Sequence, residues 1–190
     1  MSEGIIAICN RALDFVKGER ITAFDGSSEA ARLCERNWDQ SRRNVFEEHI
    51  WNVCIKRVQL APLSTAPVFE YTYQYQKPSD CIRILKFFGN EADPWQTEGN
   101  TILTDFNPAN LVYVADIQDP LMYSPLLRDV LALKLASDIC FAMTGSAAYA
   151  RELKEQYQQA LSEARSIDAS QGETGLPYVD NSWSISLLDW

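Results

Sequence analysis

One histidine, a few neighbouring carboxylates, five thiols and a row of tyrosines are the groups in this sequence that could do chemistry. His49 is the single histidine, so any Ser-His-Asp or Cys-His arrangement would have to use it. The pattern around it places it at the C-terminal end of a helix, where an imidazolium is favoured by the helix dipole alone. Asp116 and Asp119 flank a turn and could mimic a carboxylate pair or a cation site; their ordinary role is as turn residues. Glu47 and Glu48 are helix neighbours that point in different directions, so they do not form a general acid/base pair. Cys9, Cys34, Cys54, Cys81 and Cys140 are odd in number, widely spaced and set in apolar context, with no C-x-x-C. Buried free thiols in a reducing compartment are expected, rather than disulfides or a zinc site. No G-x-S-x-G, P-loop, G-x-G-x-x-G or H-E-x-x-H is present. The expectation is no catalytic, cofactor-binding or metal-ligating residue, and no enzyme.

The tyrosines form the most regular pattern. Residues 69–75 place an aromatic at every odd position, Phe69, Tyr71, Tyr73 and Tyr75, with Glu70, Thr72 and Gln74 between them. This is period-2 alternation in strand-favouring residues. Such a ladder could stack on bases or sugars, as single-strand-binding proteins do with the help of a positive groove. Only Lys77, Arg83 and Lys86 lie nearby, so the preferred reading packs this aromatic face against helices.

The elements that would position these groups can be read in order. Residues 3–17 carry Ile5, Cys9, Ala12, Leu13 and Val16 on one helical face, closed by Lys17-Gly18. Ile21 and Phe24 anchor the linker that follows. Ser27 or Ser28 caps a long helix over about 28–48, with Ala31, Cys34, Trp38 and Val45 on its core side. Arg42-Arg43 and Glu47-Glu48 read as its solvated faces, with a contact from the two arginines to a partner or DNA as the alternative. Residues 53–61 lead, extended, into a sheet. After the aromatic run, Pro78-Ser79-Asp80 makes a turn into a strand over 81–88. A hairpin turns at Gly99-Asn100, and residues 111–115 form a last strand. Ser124-Pro125 starts a helix that is apolar on nearly every side, which makes it central. Gly145 caps it, and Ser146 starts a last helix with Ala150, Leu153, Tyr157, Leu161 and Ala164 on its core face. The fold class expected is therefore α+β: about four helices in a bundle (1–50 and 121–167), an antiparallel β-rich insert (51–120), and an extended C-terminal tail (168–190). The tail carries Tyr178, Trp183, Ile185, Leu187, Leu188 and Trp190 among four acids and no base. Spaced anchors of this kind dock, either on the same domain or on a neighbour.

The chain has 190 residues, 46% of them hydrophobic, with a net charge of −9 and an isoelectric point near 4.6. Such acidity disfavours gripping nucleic acid, which needs clustered Lys and Arg, but is not evidence against a channel through which DNA must slide without sticking. No apolar run approaches the roughly 18–20 residues of a membrane span, and the first residues do not read as a signal peptide.

The order I-C-N-R-A-L-D (8–14), Gly18, Ile21, then S-E-A-A (28–31) opening a long helix, resembles the tail tubular protein A family, head-to-tail adaptors of short-tailed bacteriophages. The likeness continues through H-I-W-N-V (49–53), Y-T-Y-Q-Y-Q-K-P-S-D-C-I-R-I (71–84), E-G-N-T-I-L-T-D (98–105), L-V-Y-V-A-D-I-Q-D-P (111–120) and L-A-L-K-L-A-S-D-I-C (131–140). It covers about residues 4–168, and its specificity lies in the order of the pieces. The resemblance implies a structural virion protein assembled in the host bacterial cytoplasm. Copies would form a ring, commonly twelve-fold, between the phage portal protein and the tail nozzle protein. The ring would close the filled head and conduct double-stranded DNA as passing cargo during ejection, with no cofactor and no membrane contact. The tail residues named above, Tyr178 to Trp190, are the expected oligomer or portal interface. Two alternatives stand beside this: a tail-associated cell-wall hydrolase using Glu47, Glu48 or Glu98 in a cleft, and a protein-binding module that never forms rings.

Overall fold

Ser124 opens the central helix as its sequence predicts. Its hydroxyl accepts a hydrogen bond from the Leu127 backbone N–H, and Pro125 occupies the first turn, where a missing N–H costs nothing. In the computed structural model, residues 2–26, 28–88 and 94–171 are described, with side chains from Gly4 onward. Four helices, α1 (Ser2–Phe15), α2 (Glu29–Glu48), α3 (Pro125–Thr144) and α4 (Ala147–Ala169), combine with two small antiparallel sheets, so the fold is mixed α+β.

Helix α3 packs on α1, α2 and α4. Leu127, Leu131, Leu135 and Ile139 are each at most 1% exposed, and burying each such side chain stabilises by about 1.5–3 kcal/mol. Gly145 ends α3 with φ +68, donating its N–H to the Phe141 carbonyl at 2.9 Å. Its missing Cβ permits that left-handed turn. Only Gly145 and Ser146 link α3 to α4, so these two helices run antiparallel.

The end of α1 corrects one expectation. The residue in the left-handed region is Lys17 (φ 56), not Gly18. Gly18 is there for close approach: a Cβ on it would lie 2.9 Å from Leu13 Cδ2 and 3.0 Å from Met143 Cε. Its N–H still closes the helix on the Leu13 carbonyl at 2.8 Å. Ile21 and Phe24 do anchor the linker, Ile21 being buried and bracketed by two hydrogen bonds to the Asn10 side chain.

The insert is two layers deep. One sheet has the order β1 (Ile55–Leu60), β6 (Ala109–Ala115), β3 (Cys81–Phe88). The other has the order β2 (Tyr73–Gln76), β5 (Thr101–Thr104), β4 (Trp95–Glu98). A 3-10 turn, Asn52–Cys54, precedes β1, and another, Pro120–Met122, follows β6. Central strand β6 is buried on both faces. Val114 packs with the helices, while Leu111, Tyr113 and Ala115 pack with Tyr75 and Ile102 of the second sheet. Strand β3 departs from period 2. Cys81, Ile84 and Phe87 face the second sheet while Ile82 and Leu85 face the helices. Register shifts against β6 between Cys81 and Arg83 and between Ile84 and Lys86 insert the extra residues.

The aromatic run is shorter as a strand than its alternation predicts. Only Tyr73–Gln76 pairs, with β5. Residues 68–72 form a bent loop in which Glu70 has φ 74, and Phe69 is 77% exposed. The face also packs differently: Tyr75, fully buried, lies between the two sheets and does not join the helical core.

Candidate functional site

Strand β6 runs out of the sheet into Asp116, and that residue meets α2. Arg42 donates from Nε and a terminal nitrogen to the two oxygens of Asp116, each at 3.0 Å. Its other terminal nitrogen reaches Asp39 at 2.8 Å, and Arg43 Nε donates to Asp116 at 2.9 Å. The Arg42 and Asp116 side chains are only 3% and 4% exposed. Arg42 is therefore not on a solvated face, and Asp116 is not simply a turn residue. A buried carboxylate held bidentate by one guanidinium and supported by a second is a rigid joint between insert and bundle. Asp119 does act locally, accepting from Leu121 N–H at 3.0 Å.

Nearby donors occupy Glu48 and Asp138 as well. Glu48 accepts from the Tyr157 hydroxyl at 2.9 Å, and Arg165 lies 3.7 Å away. Burial, reinforced by that carboxylate, pushes the Tyr157 phenol up. Across the same groove between α2, α3 and α4, a space of about 370 Å³, stands Asp138. Lys134 contacts both Asp138 oxygens, at 2.6 and 2.8 Å, and Ser41 donates to one at 2.6 Å. Glu47 lines a different groove, beside Arg43 and Asp80. Glu98 sits exposed at the hairpin between β4 and β5. The three glutamates weighed for glycoside cleavage do not converge, and the pair that shares a groove, Glu48 and Asp138, is committed to other side chains.

His49 ends α2 with an extended backbone. Its Nε2 lies 3.4 Å from Asp168 of α4, and its ring meets Trp51 edge-on at 4.8 Å between centroids. Asp168 also accepts from the Asn52 N–H at 3.0 Å, and its carbonyl accepts from the Asn52 amide at 2.6 Å. These bonds tie the end of α4 to the root of the insert.

All five cysteines are free, four of them buried and Cys81 half-buried. A hydrogen bond with Cys34, then burial, pushes the Cys9 thiol up, and burial does the same to Cys54. Raised thiols are poor nucleophiles at neutral pH. The tyrosine ladder is no open platform either. Tyr75 is buried, with its hydroxyl on the Phe106 carbonyl at 2.6 Å, and Tyr73 tilts against it.

Large apolar side chains in water mark the remaining candidate surfaces. Val68 is 96% and Phe69 77% exposed, in the loop at the far end of β1. Strand β1 enters beside the helices at Ile55 and leaves at Leu60, about 17 Å further on. Leu121, 77% exposed, and Met122 lie instead at the root, just before α3. Leu121 edges an apolar groove of about 320 Å³ between α1 and the start of α3. The six tail residues expected to form an interface, Tyr178, Trp183, Ile185, Leu187, Leu188 and Trp190, lie outside the described residues.

Among the described residues no helix is long and apolar enough to cross a membrane, and no three of His, Cys, Asp and Glu converge as a metal site requires. No family model matches the chain, and no curated protein matches it.

Proposed function

We propose that this chain is a structural virion subunit, a head-to-tail adaptor that forms a twelve-fold ring between a phage portal protein and a tail nozzle protein. The observation that carries it is the presence of two unlike apolar surfaces on one chain. Val68 and Phe69 stand at the tip of the sheet arm, and Leu121 and Met122 at its root. A ring is a closed heterologous assembly, in which one surface of a copy meets a different surface of the next component. Contiguous apolar groups left in water mark such contacts. The buried Arg42–Asp116 joint would let the arm carry load without swinging on the bundle. The net charge of −9 suits a conduit that lets DNA pass, and the order of sequence pieces from 8–14 to 131–140 favours the adaptor family over a generic binding module. The tail residues Tyr178 to Trp190 supply the further contact, to a neighbouring copy or the portal.

The test mixes the purified chain with the portal protein of the same phage and images the product. A closed ring of this chain on the portal is expected. A portal that stays bare, with the chain remaining monomeric at high concentration, would overturn the reading.

A further inference from the structure

The groove at the root of the insert has a composition that specifies what it takes. Its walls are Gly4 and Ile8 of α1 and Leu121 of the 3-10 turn just before α3, with Arg11, Arg128 and Asp129 at the rim. Arg11 is already paired with Asp129 at 2.8 Å. Arg128 is not: its Nε is buried and makes no hydrogen bond among the described residues. An apolar trough edged by a half-buried guanidinium whose Nε has no acceptor favours an apolar segment that also brings a carboxylate.

The chain itself contains such a segment. Residues 172–190 carry Glu173, Asp180 and Asp189 with no Lys or Arg, and Leu187, Leu188 and Trp190 flank Asp189. The geometry of the bundle also delivers it to the right end. Helices α3 and α4 are antiparallel with a two-residue link, so the end of α4 and the start of α3 share one end of the bundle. Asp168, held by Asn52, fixes that exit. Fully extended, the residues beyond Gln171 reach about 60 Å, several helix diameters of about 10 Å.

We propose that the segment 178–190 of one copy seats in the α1/α3 groove of a second copy, with Asp180 or Asp189 meeting Arg128 and the adjacent leucines on Leu121. The assignment of a second copy, not the same one, rests on the ring reading above. It supplies the two unlike surfaces that a head-to-tail contact between identical chains needs.

The test uses a labelled synthetic peptide of residues 176–190, followed by fluorescence anisotropy. The acceptor is the full chain carrying Leu187→Ser and Leu188→Ser, so that its own tail does not compete. Saturable binding is expected, weakened at least tenfold by Arg128→Glu and by Leu121→Ser, and weakened by salt. A peptide with Asp180→Arg and Asp189→Arg should recover binding to the Arg128→Glu acceptor. Leu121 is exposed, so its variant reports on the groove even if Arg128→Glu unfolds the chain. Absence of binding, or binding indifferent to both substitutions, overturns the groove. If the unaltered chain stays monomeric at every concentration and refuses the peptide, its own tail fills the groove and the assignment to a second copy falls. Because no portal is present, failure of the adaptor reading leaves these outcomes unaffected.

Discussion

Arg42 is the most buried charged residue among those described. A charge taken out of water costs several kcal/mol unless a partner and further hydrogen bonds compensate. Here Asp116, Asp39 and the neighbouring Arg43 supply them. Removing one partner strands the other, so Arg42→Met should destabilise by about 3 kcal/mol. Arg43 keeps the loss from being larger. The double variant Arg42→Met with Asp116→Leu, which strands neither charge, should recover at least half of it, measured as urea midpoints at constant slope. Equal midpoints for wild type and Arg42→Met would show that the joint carries no load. The residue was legible in part. Positions 31, 34, 38 and 45 mark the core stripe of α2, and 42 falls on it at helical spacing, which by itself implies an arginine that is buried and paired. Its partner was not legible, because Asp116 lies 74 positions away and nothing local marks it. The same holds for Tyr157 on Glu48 and for Asn52 on Asp168.

At the scale of elements, helices came through the sequence better than strands. Caps at Ser28, Ser124 and Ser146 and the stop at Gly145 are local chemistry, and each sits where its residue type predicts. The strands depend on partners far along the chain. The alternation over 69–75 predicts a strand throughout, yet β5 is four residues long and reaches only residues 73–76 of that side, so the first aromatics have no ladder to join. The bulges of β3 are likewise invisible until β6 sets the register. What locks the first sheet at its bundle end is Asp80, in the turn before β3. Its carboxylate binds Lys56 of β1 at 2.7 Å and the Tyr113 hydroxyl of β6 at 3.0 Å, and its carbonyl accepts the Asp116 N–H at 2.7 Å. Burial opposes ionisation of Asp80, but the Lys56 and Tyr113 hydrogen bonds outweigh it and hold the carboxyl below its ordinary value. Burial, with Asp80 beside it, pushes Tyr113 up to about 12. A lowered carboxylate stabilises the fold above its unfolded value of about 3.9, and that contribution is lost as pH falls through the lower folded value. Asp80→Asn should therefore cost about 1 kcal/mol at pH 7, since Lys56 is half exposed and screened. The gap between the two stability curves should narrow as pH falls below about 3.9 and close once the pH has passed through the lower folded value, where the wild-type carboxyl is itself neutral. A constant gap down to pH 2 would assign the cost to packing instead of charge.

For the molecule as a whole, the question is what a sheet arm fixed by a buried ion pair presents to its surroundings. Among the described residues two hydrophobic clusters make up the interior, one among the helices and one between the sheets, and Ile117 packs against both. Val68 and Phe69 belong to neither. Side chains that contribute nothing to the core can be changed at little cost to folding, with surface substitutions staying within about 0.5 kcal/mol. Val68→Ser with Phe69→Ser should thus leave the urea midpoint of the isolated chain unchanged. In the proposed assembly the consequences divide by location. The tip lies beyond the far end of β1, which runs about 17 Å from the bundle, away from the α1/α3 groove assigned to the contact between copies. Rings should then still form on the portal, while capture of the nozzle protein falls at least tenfold in a pull-down of portal-bound rings. Loss of ring formation with the midpoint intact would place the tip in the contact between copies, and a lowered midpoint would mean that the loop folds back onto the sheet. Unchanged capture would leave the exposed pair without a role in attachment. The separation of these readings follows from the Arg42–Asp116 joint, since an arm that could swing would bring its tip to either surface.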